Sequence, residues 1–245
     1  MNVVFLGATR GMGLALSRQM ASRGDRLFLL GRSADALRDA GLDLGVRGGG
    51  EPSGAAPCDL SDPGSFEPAL DAAEAALGRI DCIVVTAGMF GTQEELEADT
   101  DRALRVLTVN FANTVAFCEH ARKRLLARGG GTLCVFSSVA GDRGRKPVAL
   151  YGSTKAGLSH YLESLDHKHR ADGLKVVCVK PGFVKTGMTE GLKPPPFAGE
   201  PEAVAEIVLK AIDRGTPVVY APPIWALIMM VIKHLPRAVM RRVGF

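Results

Sequence analysis

Short apolar runs alternate with longer amphipathic stretches along most of the chain. Most runs are continuous, which is typical of parallel strands covered on both faces. Repeated strand–helix units of this kind predict an α/β fold with one doubly wound parallel sheet. The predicted strands are Val3–Leu6, Arg26–Leu30, Ala55–Pro57, Cys82–Val85, Thr132–Phe136, Lys175–Val179 and Val218–Tyr220.

The predicted helices fit between these strands, and residues at their ends support the assignment. Gly24 suits the end of the first helix, and Asp62-Pro63 suits the start of one that Gly78 closes. The first predicted helix is Leu14–Arg23, and the later ones are Asp101–Arg128, Tyr151–Arg170 and Glu202–Arg214.

Length and charge bound the domain organisation. The chain has 245 residues, of which 47% are hydrophobic, enough for one large core. We expect one domain over residues 1–221, with a substrate loop at about 186–200, and a tail over residues 222–245. The net charge is +4, and the tail holds four basic residues and no acid, so the rest sums to zero. The domain therefore lacks the basic excess of nucleic-acid-binding proteins.

The cysteines and the first residues indicate a cytoplasmic protein. Five cysteines lie far apart without a CxxC pair, as expected for buried thiols in a reducing compartment. No group of His and Cys has the spacing of metal ligands, so we expect no metal. The chain starts with a predicted strand rather than the charged and apolar regions of a signal peptide.

A glycine-rich turn, GATRGMG, follows the first strand. Such a turn lets the backbone approach a pyrophosphate and points a helix N-terminus at it. The alternative is that the glycines only fit the helix against the strand. The candidate cofactor-binding residues here are Gly7, Thr9, Arg10, Gly11, Met12 and Gly13.

The end of the second strand bears on the choice of dinucleotide. An NAD site usually has an acid there, but this chain has Arg32 and Ser33. A guanidinium from Arg32 or Arg10 matches a 2′-phosphate, which favours NADPH over NADH. Asp59, after the third strand, could accept the adenine amino group. The alternatives are a solvated loop arginine and a turn aspartate.

Four polar residues form a candidate catalytic set. Tyr151 and Lys155 are four residues apart on a helix and share one face. A nearby ammonium favours the phenolate and would lower the tyrosine pKa from its usual value near 10. Ser138 follows a strand at the edge where ligands sit in such sheets. Asn110 lies among apolar residues and needs a partner if it is buried.

In this order and spacing, the motifs resemble the short-chain dehydrogenase/reductase superfamily over nearly the whole chain. The resemblance implies a Rossmann fold and NAD(P)H-dependent redox chemistry. The matching pieces are GATRGMG, CDL (58–60), Asn110, SSVAG (137–141), YGSTK (151–155) and PGFVKT (181–186).

The resemblance also implies a role for each matched residue. Tyr151 protonates a substrate carbonyl oxygen, and Ser138 holds that oxygen. Lys155 binds the nicotinamide ribose and lowers the tyrosine pKa. Asn110 holds a water of a proton relay, and Thr186 binds the carboxamide. Further implied cofactor contacts are Leu60, Ala87, Gly88, Pro181, Gly182 and Val184.

One departure from the family pattern is visible. The sequence VTAG places Thr86 where the family commonly has an asparagine that braces neighbouring strands. A threonine can make fewer of those hydrogen bonds.

Several functions fit these observations. The resemblance is nearest to the subgroup that contains the decaprenylphosphoryl-2-keto-pentose 2-reductases, and it implies a lipid-linked or apolar carbonyl substrate. The pieces that carry it are SSVAGDRGRK, YGSTKAGL, PGFVKTGMTEGLK and the tail. The same chemistry allows a soluble 3-ketoacyl carrier-protein reductase. A cofactor-binding regulator without turnover would not need the full catalytic set. A nucleotide-sugar epimerase or dehydratase would need a larger C-terminal domain.

The tail reads PPIWALIMMVIKHLPRAVMRRVGF. Its unbroken apolar run, Ile224–Ile232, would span about 14 Å as a helix, too short for the ~30 Å core of a bilayer. Pro236 should break the helix after Leu235. The run could pack on its own domain or on another subunit of a homo-oligomer. Alternatively, with Trp225 and the basic residues, it could dock on an anionic membrane surface at the cytoplasmic face.

Overall fold

A seven-stranded parallel sheet forms the centre of the computed structural model, which describes residues 1–48 and 54–243. The strand order is β3-β2-β1-β4-β5-β6-β7, so the predicted doubly wound sheet is confirmed. All seven predicted strands are present, with ends shifted by no more than two residues. They are β1 Asn2–Leu6, β2 Arg26–Gly31, β3 Gly54–Pro57, β4 Cys82–Val85, β5 Gly131–Phe136, β6 Leu174–Pro181 and β7 Val218–Ala221.

Helices cover both faces of this sheet. Helices α2 and α4 have no counterpart among the predicted helices. The helices are α1 Gly11–Ser22, α2 Ala34–Gly48, α3 Phe66–Leu77, α4 Gln93–Ala98, α5 Thr100–Leu107, α6 Thr114–Ala127, α7 Ala149–His169, α8 Pro201–Arg214, α9 Ile224–His234 and α10 Arg237–Met240.

The long helix predicted over Asp101–Arg128 is present as an unbroken helical run from Thr100 to Ala127, but it is not α-helical throughout. A π-helical turn, Thr108–Asn113, separates α5 from α6. The hydroxyl of Thr114 donates to the carbonyl of Val109, five residues back, at 2.7 Å. A π-helical turn inserts extra backbone into a helix and is frequent at functional sites. Periodicity alone does not reveal it, because the flanking turns are regular.

Two apolar cores, one on each face of the sheet, hold the layers together. The Phe66 and Phe117 rings of α3 and α6 meet edge to face in the first core, with centroids 5.5 Å apart. All five cysteines are buried and free, and burial raises the pKa of each thiol. The prediction of buried thiols is therefore confirmed.

The strand order reverses between β1 and β4. In open α/β sheets, ligands bind outside the carboxyl ends of the strands at such a switch point. The residues that follow β1 and β4 therefore form the centre of the candidate site.

The tail packs on the domain through α9. Met229 and Ile232 are buried against Val139, which belongs to a 3₁₀ turn after β5. Arg143 donates to the carbonyl of Leu235 at 2.9 Å, and the helix ends before Pro236, as predicted. No helix in the described ranges has the length and apolar character to span a bilayer.

Candidate active site

The glycine turn after β1 is a tightly packed loop. Gly7 has a positive φ of 101°, and a Cβ there would lie 2.5 Å from Oγ1 of Thr86. A Cβ on Gly13, at the start of α1, would lie 2.1 Å from the carbonyl oxygen of Gly7. Both positions therefore require glycine. The turn brings exposed backbone to the N-terminus of α1, as a phosphate-binding turn does.

Thr86 braces this turn despite being shorter than an asparagine. Its hydroxyl donates to the carbonyl of Gly7 at 2.9 Å, and its N–H donates to the carbonyl of Leu6 at 2.9 Å. The connection between the ends of β1 and β4 is therefore kept. The departure from the family pattern changes the donor and leaves the bracing in place.

A cleft of about 690 Å³ opens over the ends of β1, β2, β3 and β4. It is lined by twelve of the predicted cofactor-binding residues, which the sequence scatters over 180 positions. They are Gly7, Thr9, Arg10, Gly11, Met12, Gly13, Arg32, Asp59, Leu60, Ala87, Gly88 and Thr186.

Six predicted cofactor-binding residues do not line this cleft, and two of them, Tyr151 and Lys155, belong to the catalytic set described below. The Ser33 hydroxyl accepts the N–H of Ala36 and thereby caps α2. Pro181 and Val184 are buried at the end of β6 and just beyond it. Gly182 faces the tail, because a Cβ there would lie 2.0 Å from Nε1 of Trp225.

The polar side chains of the cleft differ in whether they already form hydrogen bonds within the protein. Arg10 and Arg32 are exposed to the cleft. One carboxylate oxygen of Asp59 accepts the N–H of Ser61 at 2.8 Å, so the predicted turn role is real. Asp59 also lines the cleft. The turn role is therefore confirmed, while contact with the adenine amino group stays a prediction.

The catalytic candidates come together at the start of α7. The ammonium of Lys155 lies 5.8 Å from the centroid of the Tyr151 ring and donates to the carbonyl of Phe136 at 2.9 Å. The Phe90 ring packs edge to face on Tyr151, with centroids 5.1 Å apart. Ser138 caps the 3₁₀ turn that follows β5, with its hydroxyl accepting the N–H of Ala140.

Burial sets the protonation of this pair. It raises the pKa of Tyr151 to about 12, and interaction with the Ser138 hydroxyl opposes this effect. Burial also lowers the pKa of Lys155 to about 8. The expected lowering of the phenol pKa is therefore not seen in the protein alone, because desolvation outweighs the effect of the Ser138 hydroxyl. The phenol of Tyr151 is therefore protonated at neutral pH.

Asn110 is 1% exposed and lies in the π-helical turn. Its side-chain oxygen accepts the N–H of Met89, and its NH₂ group donates to the carbonyl of Met89, both at 2.7 Å. The amide therefore finds the partner that its burial requires. These bonds hold the segment after β4 beside Lys155.

Several residues of the site went unrecognised in the sequence. Met89 and Arg105 line the cleft, and nothing in their local sequence marks them. Asp142 accepts from the ammonium of Lys180 at 2.6 Å and from the hydroxyl of Tyr220 at 2.7 Å. This network joins β6 and β7 to the segment between Ser138 and Tyr151. Asp142 follows the SSVAG motif directly, a position that could have identified it.

Comparison with known proteins agrees with this geometry. The family model described as short chain dehydrogenase matches residues 1–196. An uncharacterized oxidoreductase of Mycobacterium tuberculosis is 33% identical over 242 residues, covering 98% of this chain and 96% of the relative. A 3-oxoacyl-[acyl-carrier-protein] reductase of Bos taurus is 30% identical over 186 residues, covering 76% of each.

Solved structures show the same fold. A variant of the actinorhodin polyketide ketoreductase, crystallised with NADPH, superposes with a TM-score of 0.79 at 24% identity, covering 89% of this chain and 94% of that chain. The extent of the family match and the identity to the mycobacterial relative agree with the fold. The chain therefore belongs to the short-chain dehydrogenase family of oxidoreductases.

Proposed function

We propose that this protein is an NADPH-dependent reductase of a carbonyl group on an apolar or lipid-linked substrate. The observation that carries the proposal is the position of Tyr151. Its buried phenol, with the pKa raised to about 12, lies beside Lys155 and Ser138. The ammonium of Lys155 in turn lies close to Gly88, which lines the dinucleotide-sized cleft. A phenol that stays protonated at neutral pH is suited to give a proton to a carbonyl oxygen.

The residues of the cleft fit the dinucleotide that this family uses. The backbone of Gly7–Gly13 and the N-terminus of α1 would hold the pyrophosphate, since no side chain can grow into the turn at Gly13. Asp59 would accept the adenine amino group, and Thr186 would bind the carboxamide. When bound, the reduced nicotinamide supplies the hydride for the carbonyl carbon.

The charges at the adenosine end support NADPH over NADH. Arg32 lines the cleft at the end of β2, where an NAD site would carry an acid, and Arg10 of the glycine turn lines the same cleft. Nearby arginines on the same side of the sheet are paired, Arg18 with Asp43 and Arg38 with Asp35. In the described ranges, Arg32 has no carboxylate within ion-pair distance. A guanidinium of this kind suits a 2′-phosphate.

Each side chain of the catalytic set has a separate proposed role in the reaction. Tyr151 would donate its proton, while Ser138 orients the carbonyl oxygen. Lys155, whose pKa is about 8, is still mostly charged at neutral pH and favours the phenolate that remains. Asn110, held on both sides by Met89, keeps the segment beside Lys155 in place.

Apolar side chains near the cleft support an apolar substrate. Met188 lines the cleft, and it is exposed, as are Leu192 and Phe197 in the same loop. Exposed apolar side chains that border a cleft are typical of a ligand-binding surface. We further infer that the enzyme works in the cytoplasm as a homo-oligomer.

A second candidate is a soluble 3-ketoacyl carrier-protein reductase. The bovine relative carries that name, and Arg105 adds a positive charge at the rim of the cleft, where an acidic carrier could bind. This candidate shares the catalytic set and differs in the substrate. It also predicts activity on short thioester-linked ketones that is indifferent to the tail.

The test is NADPH consumption with a panel of long-chain ketones, keto-sugars on lipid phosphates and acetoacetyl thioesters. NADPH binding is measured in parallel by calorimetry. Turnover of the lipid-linked ketones well above the thioesters is the expected result. Tight NADPH binding without turnover of any substrate in either direction would leave a non-catalytic binding protein. The reverse order of rates would favour the carrier-protein reductase.

A further inference from the structure

Helix α9 carries apolar side chains on two opposite sides. Met229 and Ile232 point inward and pack on Val139, the residue after Ser138. Leu227, Met230 and Val231 point outward and are each more than half exposed. The spacing of these three places them on one side of the helix, away from Met229 and Ile232. We call these three residues the outer face of α9.

The outer face continues into exposed positive charge. Lys233, Arg237, Arg241 and Arg242 are all exposed, and residues 222–245 contain no acid. The rest of the chain is neutral, so the whole net charge of +4 lies beside the outer face. No side chain in the described ranges covers this face.

The exposed apolar face and the positive charges beside it together indicate what kind of partner covers this surface. A second copy related by a twofold axis would place the same residues of both tails at one interface and bring their positive charges together. A neutral apolar partner would leave four cations unused. An anionic lipid surface satisfies both features, since the apolar side chains enter the headgroup boundary while the cations meet lipid phosphates.

We propose that the outer face of α9 docks the protein in the plane of an anionic lipid bilayer. The helix has 11 residues and a length of about 16 Å, so it lies on the surface and does not cross it. The positive residues at its C-terminal end fix its orientation. This docking does not depend on which reaction the cleft performs.

The contacts of Trp225 place the substrate loop at the same surface. Its indole N–H donates to the carbonyl of Phe197 at 3.3 Å, and its ring packs on Gly182. A Cβ on Gly199 would lie 2.9 Å from Pro222, so the end of the loop also touches the start of the tail. Docking through α9 therefore brings the mouth of the cleft close to lipid, from which an apolar substrate can enter.

The first experiment uses the full protein with two kinds of vesicle, phosphatidylcholine alone or mixed with phosphatidylglycerol. Sedimentation measures binding. Trp225 is the single tryptophan, so quenching of its fluorescence by brominated acyl chains reports how close it comes to the bilayer. We expect binding and quenching only with the anionic vesicles, and loss of both in high salt.

Paired variants separate the two contributions. Leu227→Ser with Val231→Ser should weaken binding at least tenfold, whereas Leu104→Ser with Val46→Ser, at exposed positions on other helices, should not. Lys233→Gln with Arg237→Gln should weaken binding about fivefold per charge. Its control is Lys123→Gln with Lys168→Gln. Deletion of the tail is unsuitable, because it would uncover Val139.

Equal, weak binding of the wild type to both kinds of vesicle would overturn the proposal. So would test variants that bind as well as their controls. Sedimentation equilibrium without lipid examines the competing occupant. A wild-type dimer that Leu227→Ser converts to a monomer would show that a second copy covers this face instead.

Discussion

The two walls of the cleft are built in opposite ways. We call the turn Gly7–Gly13 with Thr86 the cofactor wall, and residues 186–200, where the proposed substrate would bind, the substrate wall. On the cofactor wall, a Cβ on Gly7 or Gly13 would collide with atoms closer than 3 Å. On the substrate wall, a Cβ on Gly187 or Gly191 would meet nothing within 4 Å, and the tight contact of Gly199 with Pro222 lies at the far end, where the loop meets the tail. Tight packing fixes the first wall, while the second has room to vary with the substrate.

Replacing the proposed proton donor, Tyr151, should have the largest effect on activity, because the cofactor and the substrate both react beside it. Tyr151→Phe should lower kcat/KM about a thousandfold, as expected for the loss of a general acid, and leave NADPH affinity nearly unchanged. Steady-state NADPH oxidation and calorimetry measure the two quantities. Tyr161→Phe is the matched control, because that hydroxyl, on the same helix, donates to Glu119. Equal losses in both variants would contradict the assignment.

The second largest effect is expected from adding a methyl group to the cofactor wall. Gly13→Ala should weaken NADPH binding by about a hundredfold and lower the free energy of unfolding by about 1–3 kcal/mol, because the added carbon meets the Gly7 carbonyl. Fluorescence titration and thermal denaturation test this. Gly144→Ala, where nothing lies within 4 Å, should change neither. Normal binding by Gly13→Ala would show that the cofactor wall is less rigid than its contacts indicate.

The pH profile tests the buried pair between the walls. The pKa of Lys155 is lowered to about 8 and that of Tyr151 is raised to about 12. As the pH rises above about 8, Lys155 loses its charge, so kcat/KM for reduction should fall by about tenfold per pH unit. Tyr151 stays protonated through this range and causes no fall. Lys155→Arg should shift this decline in kcat/KM to higher pH. An unchanged pH profile in the variant would show that another group causes the decline.

A smaller effect, selective for NADPH over NADH, is expected at Arg32, where the adenosine part of the cofactor would lie. Arg32→Gln should raise the Kd for NADPH about tenfold and leave that for NADH unchanged, because the guanidinium meets only the 2′-phosphate. Arg38→Gln, on the exposed side of α2 and paired with Asp35, is the control. Equal losses for both dinucleotides would rule out a contact with the 2′-phosphate.

Changes on the substrate wall should have the smallest effect. Leu192→Ser and Phe197→Ser should raise KM for long apolar ketones about threefold, with kcat and Tm nearly unchanged, since both side chains are exposed. Leu104→Ser provides the comparison at an exposed position on α5. A fall in kcat with KM constant would instead place these residues in contact with the reacting atoms.

The same contrast explains what could be predicted from the sequence. Glycine turns, strand ends and the Tyr151–Lys155 spacing are local patterns, so the fold and most of the cofactor wall could be predicted. Helix α2 was missed because its three glycines and weak amphipathic character hide the helical period. The stretch RGGGEPSG (47–54), whose composition is typical of a loop, lies largely outside the described residues.

Contacts between distant segments could not be predicted. The role of Asn110 depends on Met89, and Gly182 faces Trp225 because the tail folds back over β6. The tail itself had two open interpretations, core or surface. The structure buries one side of α9 and exposes the other, a division that depends on where Val139 lies.

The five buried cysteines have a practical consequence for studying this protein. Their thiols are enclosed, and burial raises their pKa, so they react slowly with thiol reagents. A cysteine introduced on the surface, for example by Leu227→Cys, would therefore be modified selectively without removing the native ones. A spin label or fluorophore placed there could follow the tail and the substrate loop in the otherwise native chain.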